Sequence, residues 1–105
     1  MHRRGTVWEC HLEPGAAPKP AIVVHNNGRN RSAWPLVHVV RVTTSPREPR
    51  PTIVELPEGE PVVGWVICDD PAPVPKVALG RQTGGLSPQA MRRMDAALTL
   101  VFALS

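Results

Sequence analysis

Apolar and polar positions alternate with a period of two over much of this chain, and the rhythm lengthens to that of a helix only near its end. Residues 5–12 form the first predicted strand, with Trp8, Cys10 and Leu12 on one face and Val7, Glu9 and His11 on the other. Glu13-Pro14-Gly15 ends it, and 16–19 is a short linker. Residues 20–25 are apolar and rich in β-branched side chains, the mark of a strand buried on both faces at the centre of a sheet. A third strand covers 36–43, where Leu36, His38, Val40 and Val42 share one face and Val37, Val39, Arg41 and Thr43 the other. The three prolines and two arginines of 45–51 cannot pair inside a sheet and predict a basic loop of the kind that contacts ligands. Two further strands, 52–56 and 61–68, flank the turn Pro57-Glu58-Gly59-Glu60, and Asp69-Asp70-Pro71-Ala72-Pro73 is expected to stop the second. Residues 79–84 make a short edge strand. Ser87-Pro88 then opens a helix, a capping serine followed by proline at the first helical position. Met91, Met94, Leu98 and Val101 recur at helical spacing and should lay one face of that helix on the sheet.

Composition supports this β-rich reading. The chain has 105 residues, 42% of them hydrophobic, enough for one domain spanning 1–105. Thirteen prolines and eight glycines favour short strands and loops over a helix bundle. Cys10 and Cys68 both lie in alternating apolar segments, where a free thiol acts as a small core group, and two cysteines make no disulfide framework. Glu9, His11 and Glu13 interrupt what would be the apolar part of a signal peptide, and the apolar run 96–104 is too short to span a bilayer. A soluble, cytoplasmic protein is expected. The net charge of +3 and pI near 9.5 modestly favour a polyanionic partner.

Charge acquires a location in residues 19–31, where a short apolar strand opens into a loop of amides and arginines: Asn26, Asn27, Gly28, Arg29, Asn30 and Arg31. Amides and guanidinium forks hydrogen-bond to base edges and phosphate oxygens, so the loop reads as a nucleic-acid surface. Turn chemistry alone would equally explain its asparagines and glycine. The four histidines show no metal-ligand spacing, no phosphate-gripping glycine loop is present, and no serine sits in a nucleophile elbow. What remains is Lys19 entering the second strand and Arg41 and Thr43 leaving the third. If those strands are neighbours, the three flank one groove. Such a set suits RNA phosphodiester cleavage, in which the substrate's own 2'-hydroxyl attacks and the protein stabilises the phosphorane and moves protons. A lysine does both if desolvation lowers its pKa. Lysine at a strand end and threonine at a strand exit are also ordinary features, and that reading stands beside the catalytic one.

In their order, these motifs resemble the MazF/PemK family of toxin-antitoxin ribonucleases from Arg4 to about Leu104. Arg4-Gly5-Thr6-Val7-Trp8 with Leu12-Glu13-Pro14 is similar to the family's opening strand, and Lys19-Pro20-Ala21-Ile22-Val23-Val24 stands where the family has Arg-Pro and an apolar strand. Val40-Arg41-Val42-Thr43-Thr44 resembles the strand ending in a hydroxyl pair. Gly84-Gly85-Leu86-Ser87-Pro88, Met91 and Asp95-Ala96-Ala97-Leu98 resemble the closing motif and helix. Mycobacterial-type members are similar in pairing Lys-Pro with Asn-Asn-x-Arg-Asn-Arg. The resemblance implies a mainly β fold, a small SH3-like antiparallel barrel with a C-terminal helix, in a homodimer with RNA grooves at its interface. It implies metal-independent, cofactor-free cleavage of single-stranded RNA at short sequences, and inhibition by an antitoxin with an acidic tail.

On the same resemblance the catalytic residues are Lys19, in the place of the family's arginine, and Thr43. The RNA-binding set is Asn26, Asn27, Arg29, Arg31, Arg41, Thr44 and Asp70. Lysine lacks arginine's bidentate fork but titrates more readily, which suits a proton donor. This chain departs from the family in its short 14–19 segment, in His11 where an aspartate is common, and in Pro71-Ala72-Pro73 where an arginine is expected to help with RNA. Asp69 and Asp70 either accept hydrogen bonds from base amino groups or cap a turn. Two alternatives remain: a CcdB-like toxin that binds gyrase on the same barrel, and a decayed member that only binds RNA or antitoxin.

Overall fold

The computed structural model describes residues 2–25, 27 and 33–103. Its elements are β1 (Thr6–Cys10), β2 (Lys19–Val23), β3 (Leu36–Thr43), β4 (Ile53–Glu55), β5 (Trp65–Pro75), a 3₁₀ turn (Lys76–Ala78), β6 (Leu79–Gly85) and helix α1 (Pro88–Ala103). All six strands form one antiparallel sheet in the order β4-β5-β3-β2-β1-β6, with β2 innermost, as its run of apolar residues predicts, beside β3. Because side chains alternate, the central strands feed two cores. Val7, Ile22, Val40, Val42, Val66 and Cys68 meet Ala90, Met94, Ala97 and Leu98 of α1 on one face. Trp8, Cys10, Ala21, Val23, Val37, Val39, Val74 and Leu79 gather on the other.

The helix starts where its sequence says it should. The hydroxyl of Ser87 accepts from the amide of Ala90 at 3.2 Å and donates to Glu60 at 2.6 Å, while the Ser87 amide donates to the other Glu60 oxygen at 2.9 Å. Pro61 lies against Gly84, so the β4–β5 loop reaches across to the end of β6. The outer strands are thus brought together by loop contacts, with no ladder between β4 and β6. Gly5, at φ +86°, lets Met91 of α1 lie on the backbone where a Cβ would collide with its sulfur. Arg4 fixes the same corner through its ion pair with Asp95 and a 3.0 Å bond from its Nε to the carbonyl of Val24.

One expectation fails. Asp69-Asp70-Pro71-Ala72-Pro73 does not stop the strand, because β5 runs on to Pro75. Between Val39 and Arg41 of β3 the pairing slips: Ala72 faces Val39 and Ile67 faces Arg41, so β5 bulges by several residues. Beyond the bulge the amide of Lys76 donates to the carbonyl of Pro35, which turns the even-numbered amides toward β3. Pro73 and Pro75 therefore present their missing N–H to the opposite edge. Among the described residues that edge is unpaired, since β4 pairs with Trp65, Val66 and Ile67 alone. The bulge also moves β5 from one core to the other, Val66 and Cys68 in the first and Val74 in the second.

Candidate nucleic-acid interface

Lys19 opens β2 and is exposed, opposite Cys10 of β1. The β2–β3 ladder pairs Ala21 with Arg41. Continued by two residues on each strand, the same register sets Lys19 across from Thr43, and the alternation of side chains keeps Lys19, Arg41 and Thr43 on one face. Lys19, Arg41, Asp70 and Glu13 line a cavity of about 290 Å³ whose floor is Ala21, Val39 and Val74 of the second core. The floor is apolar and packed, and the charges stand at its rim. Lys19 is exposed, and its neighbours in this chain do not bury it.

Thr43 is half-buried at the end of β3, and its hydroxyl accepts from the amide of Ser45 at 3.2 Å. With that lone pair used, its O–H is left to donate to an anionic oxygen. Gly64, at φ +138°, lies so close that a Cβ there would overlap the carbonyl oxygen of Thr43. The site therefore rests on a close backbone approach that only glycine permits.

The remaining predicted residues divide. Asp70 joins the Lys19 cavity. Thr44 follows the end of β3 and is exposed. Asn27 is engaged structurally, its carbonyl accepting from the amide of Arg4 at 2.7 Å. Asn26, Arg29 and Arg31 lie outside the described residues. Sequence reasoning did not single out Glu13, which the turn after β1 brings to the Lys19 rim, or the individual residues of the basic loop. Pro46, Arg47, Glu48 and Arg50 of that loop border a second cavity, of about 350 Å³, which shares Arg41 with the first. The prolines of 45–51 were the signal for that loop, but its docking against β5 has none.

Neither cysteine is placed for chemistry. Both are free and buried; burial pushes the Cys68 thiol up to about 12, with the charge of Asp69 adding to the rise, and burial raises Cys10 as well. Among the described residues no three His, Cys, Asp or Glu side chains gather as metal ligands, and no helix is long and apolar enough to cross a membrane. A larger hollow of about 610 Å³ lies elsewhere, between Arg4, the His25–His38 pair and the end of α1.

Comparison with known proteins gives this arrangement a context. The sequence model of the PemK-like, MazF-like toxins of type II toxin-antitoxin systems matches residues 3–102. The chain is 37% identical over 101 residues to endoribonuclease MazF4 of Mycobacterium tuberculosis (strain H37Rv) and to endoribonuclease MazF1 of Mycobacterium bovis, covering 96% of this chain and 92% of each relative. Among solved structures, a mycobacterial endoribonuclease in complex with its cognate antitoxin superposes with a TM-score of 0.86 at 34% identity, over 98% of this chain and 96% of that one. MazF from Deinococcus radiodurans, at 19% identity and a TM-score of 0.79 over 96% of both chains, shares the fold.

Proposed function

The chain belongs to the PemK-like, MazF-like toxin family, and from that premise we propose that its Lys19 face cuts single-stranded RNA by attack of the substrate's own 2'-hydroxyl. It is the toxin of a type II toxin-antitoxin pair and an endoribonuclease. The observation that carries the mechanism is the gathering of Lys19, Arg41 and Asp70 on one rim, with Thr43 following Arg41 on the same face of β3.

In the reaction the 2'-oxygen forms a bond to phosphorus and the bond from phosphorus to the 5'-oxygen breaks. The products are a 2',3'-cyclic phosphate and a 5'-hydroxyl. The attacking hydroxyl gives its proton to solvent, and the Lys19 ammonium supplies one to the departing 5'-oxygen. Thr43 donates to a non-bridging oxygen whose negative charge grows in the phosphorane, and Arg41 holds the phosphate on the same face. No covalent intermediate and no metal ion enters this scheme. Asn26, Asn27, Arg29, Arg31, Thr44 and Asp70 are proposed to hold the flanking RNA, with Asn27 doing so only if its bond to Arg4 opens. The cognate antitoxin would close this face in a homodimer, and the cytoplasm is where such a toxin meets RNA.

Incubating the purified protein with long RNA in excess chelator tests the proposal. Discrete products with 5'-hydroxyl ends are expected. Lys19→Ala and Thr43→Ala should each slow cleavage by about a hundredfold or more, the scale for removing one donor from an oxyanion site. Cleavage at the parental rate by either variant would remove that residue from the mechanism.

A further inference from the structure

The second cavity lies directly beside the first, on the far side of Arg41. It is built by the β3–β4 loop folding against β5, and its chemistry is mixed. Arg47 and Arg50 are exposed there, and neither they nor Arg41 form an ion pair among the described residues. Asp69 and, from the loop, Glu48 contribute carboxylates to the same cavity, neither of them in an ion pair among the described residues, and Ile53 and Ile67 give it an apolar floor. Three unpaired guanidiniums around one hollow call for an anion. A carboxylate in their midst calls for a hydrogen-bond donor, and the isoleucine floor for a flat apolar surface. A nucleotide carries all three complements: a phosphate, a base edge with N–H groups and a base face. An acidic peptide matches only the guanidiniums and is repelled by Asp69.

Resting on the ribonuclease reading, we infer that this cavity holds the nucleotide next to the cleaved bond, with Arg47 and Arg50 on its phosphate and Asp69 reading its base. Arg41 borders both cavities and sets the step from one nucleotide to the next. Guanine presents two adjacent donors, N1–H and the N2 amino group, that satisfy both oxygens of one carboxylate. The cavity therefore selects guanine over uracil, which offers a single donor.

Binding of the full chain to RNA oligonucleotides 2'-O-methylated throughout, which cannot be cut, separates this inference from the cleavage reading. The logarithm of affinity should fall with the logarithm of salt concentration, and Arg47→Ala/Arg50→Ala should flatten that slope by about 0.7, the loss of one single-strand phosphate contact. Arg47→Lys/Arg50→Lys should restore the slope, because charge alone sets it. Among oligonucleotides differing at the positions flanking the scissile bond, guanine should bind best, and Asp69→Asn should erase its advantage over uracil. A slope unchanged in the alanine pair overturns the phosphate site. Equal binding of all four bases by the parent overturns the reading of the base. If the alanine pair loses affinity for a polyglutamate peptide but not for RNA, the cavity belongs to an acidic protein partner and the inference is wrong. A parent that binds the uncleavable RNA as described but cuts no RNA would leave this site standing and remove the ribonuclease mechanism.

Discussion

A single atom at position 64 separates a usable Thr43 from a displaced one. Alanine at Gly64 would meet the Thr43 carbonyl and also carry a side chain at φ +138°. Gly64→Ala is therefore expected to cost about 2 kcal/mol or more in denaturant unfolding, and to slow RNA cleavage even where the variant is fully folded. Parental stability together with parental cleavage would show that the approach is not needed. The same scale explains the limits of sequence reading at the site. Lys19, Arg41 and Thr43 were legible because strand alternation and one register decide which faces they share. The structural bond of Asn27 was not legible, because an amide in a polar loop looks the same in sequence whether it waits for a base or, as here, accepts from the amide of Arg4 at 2.7 Å. Lysine at 19 also has a testable signature. Lys19→Arg adds a fork for the phosphate but a poorer proton donor, so it should tighten binding of uncleavable RNA while slowing cleavage.

At the level of elements, the pattern of apolar positions anticipated the strands along the chain, the central place of β2 and the helix start, and it failed where tertiary pairing overrode local signals. Proline and paired aspartates ordinarily end a strand, and the reading at 69–73 followed that rule. β5 continues because the prolines beyond its bulge fall on the alternate residues whose amides face away from β3, a parity that depends on a bulge the sequence does not announce. The α1 start was legible from Ser87-Pro88, but its second support was not, since Glu60 lies in a distant turn and reaches Ser87 only after the sheet has curled. Ser87→Ala removes a cap to Ala90 and leaves Glu60 one partner short. A loss of about 1–2 kcal/mol in thermal or denaturant unfolding is expected, with the far-UV helical signal weakening first. A change within a few tenths of a kcal/mol would show that α1 is held by its apolar face alone.

Across the whole molecule, two cores lie on opposite faces of one sheet, and the Lys19 cavity opens over the second. Cys68 is fully buried in the first of these cores, and its thiol stays protonated to about 12, against an ordinary value of 9.0. The folded chain thus binds this proton more tightly than the unfolded chain. The stabilisation is fully present below pH 9.0 and is lost as pH climbs toward about 12. Cys68→Ala should be less stable than the parent at about pH 8, because it leaves a small void, and the gap should narrow by about pH 10.5 as the parent alone loses this contribution. A gap that stays constant over that range would show that Cys68 has no part in the alkaline loss.

The prolines along the outer edge of β5 have an effect on the protein's company as well as its fold. A sheet edge recruits another extended chain by offering N–H and C=O groups in register, and Pro73 and Pro75 withhold the donors from the outward-facing positions beyond the bulge. The missing donors disfavour growth of the sheet by strand addition there, for a second toxin molecule and a misfolded neighbour alike. An extended inhibitor seeking backbone pairing has to find it at another edge of the molecule.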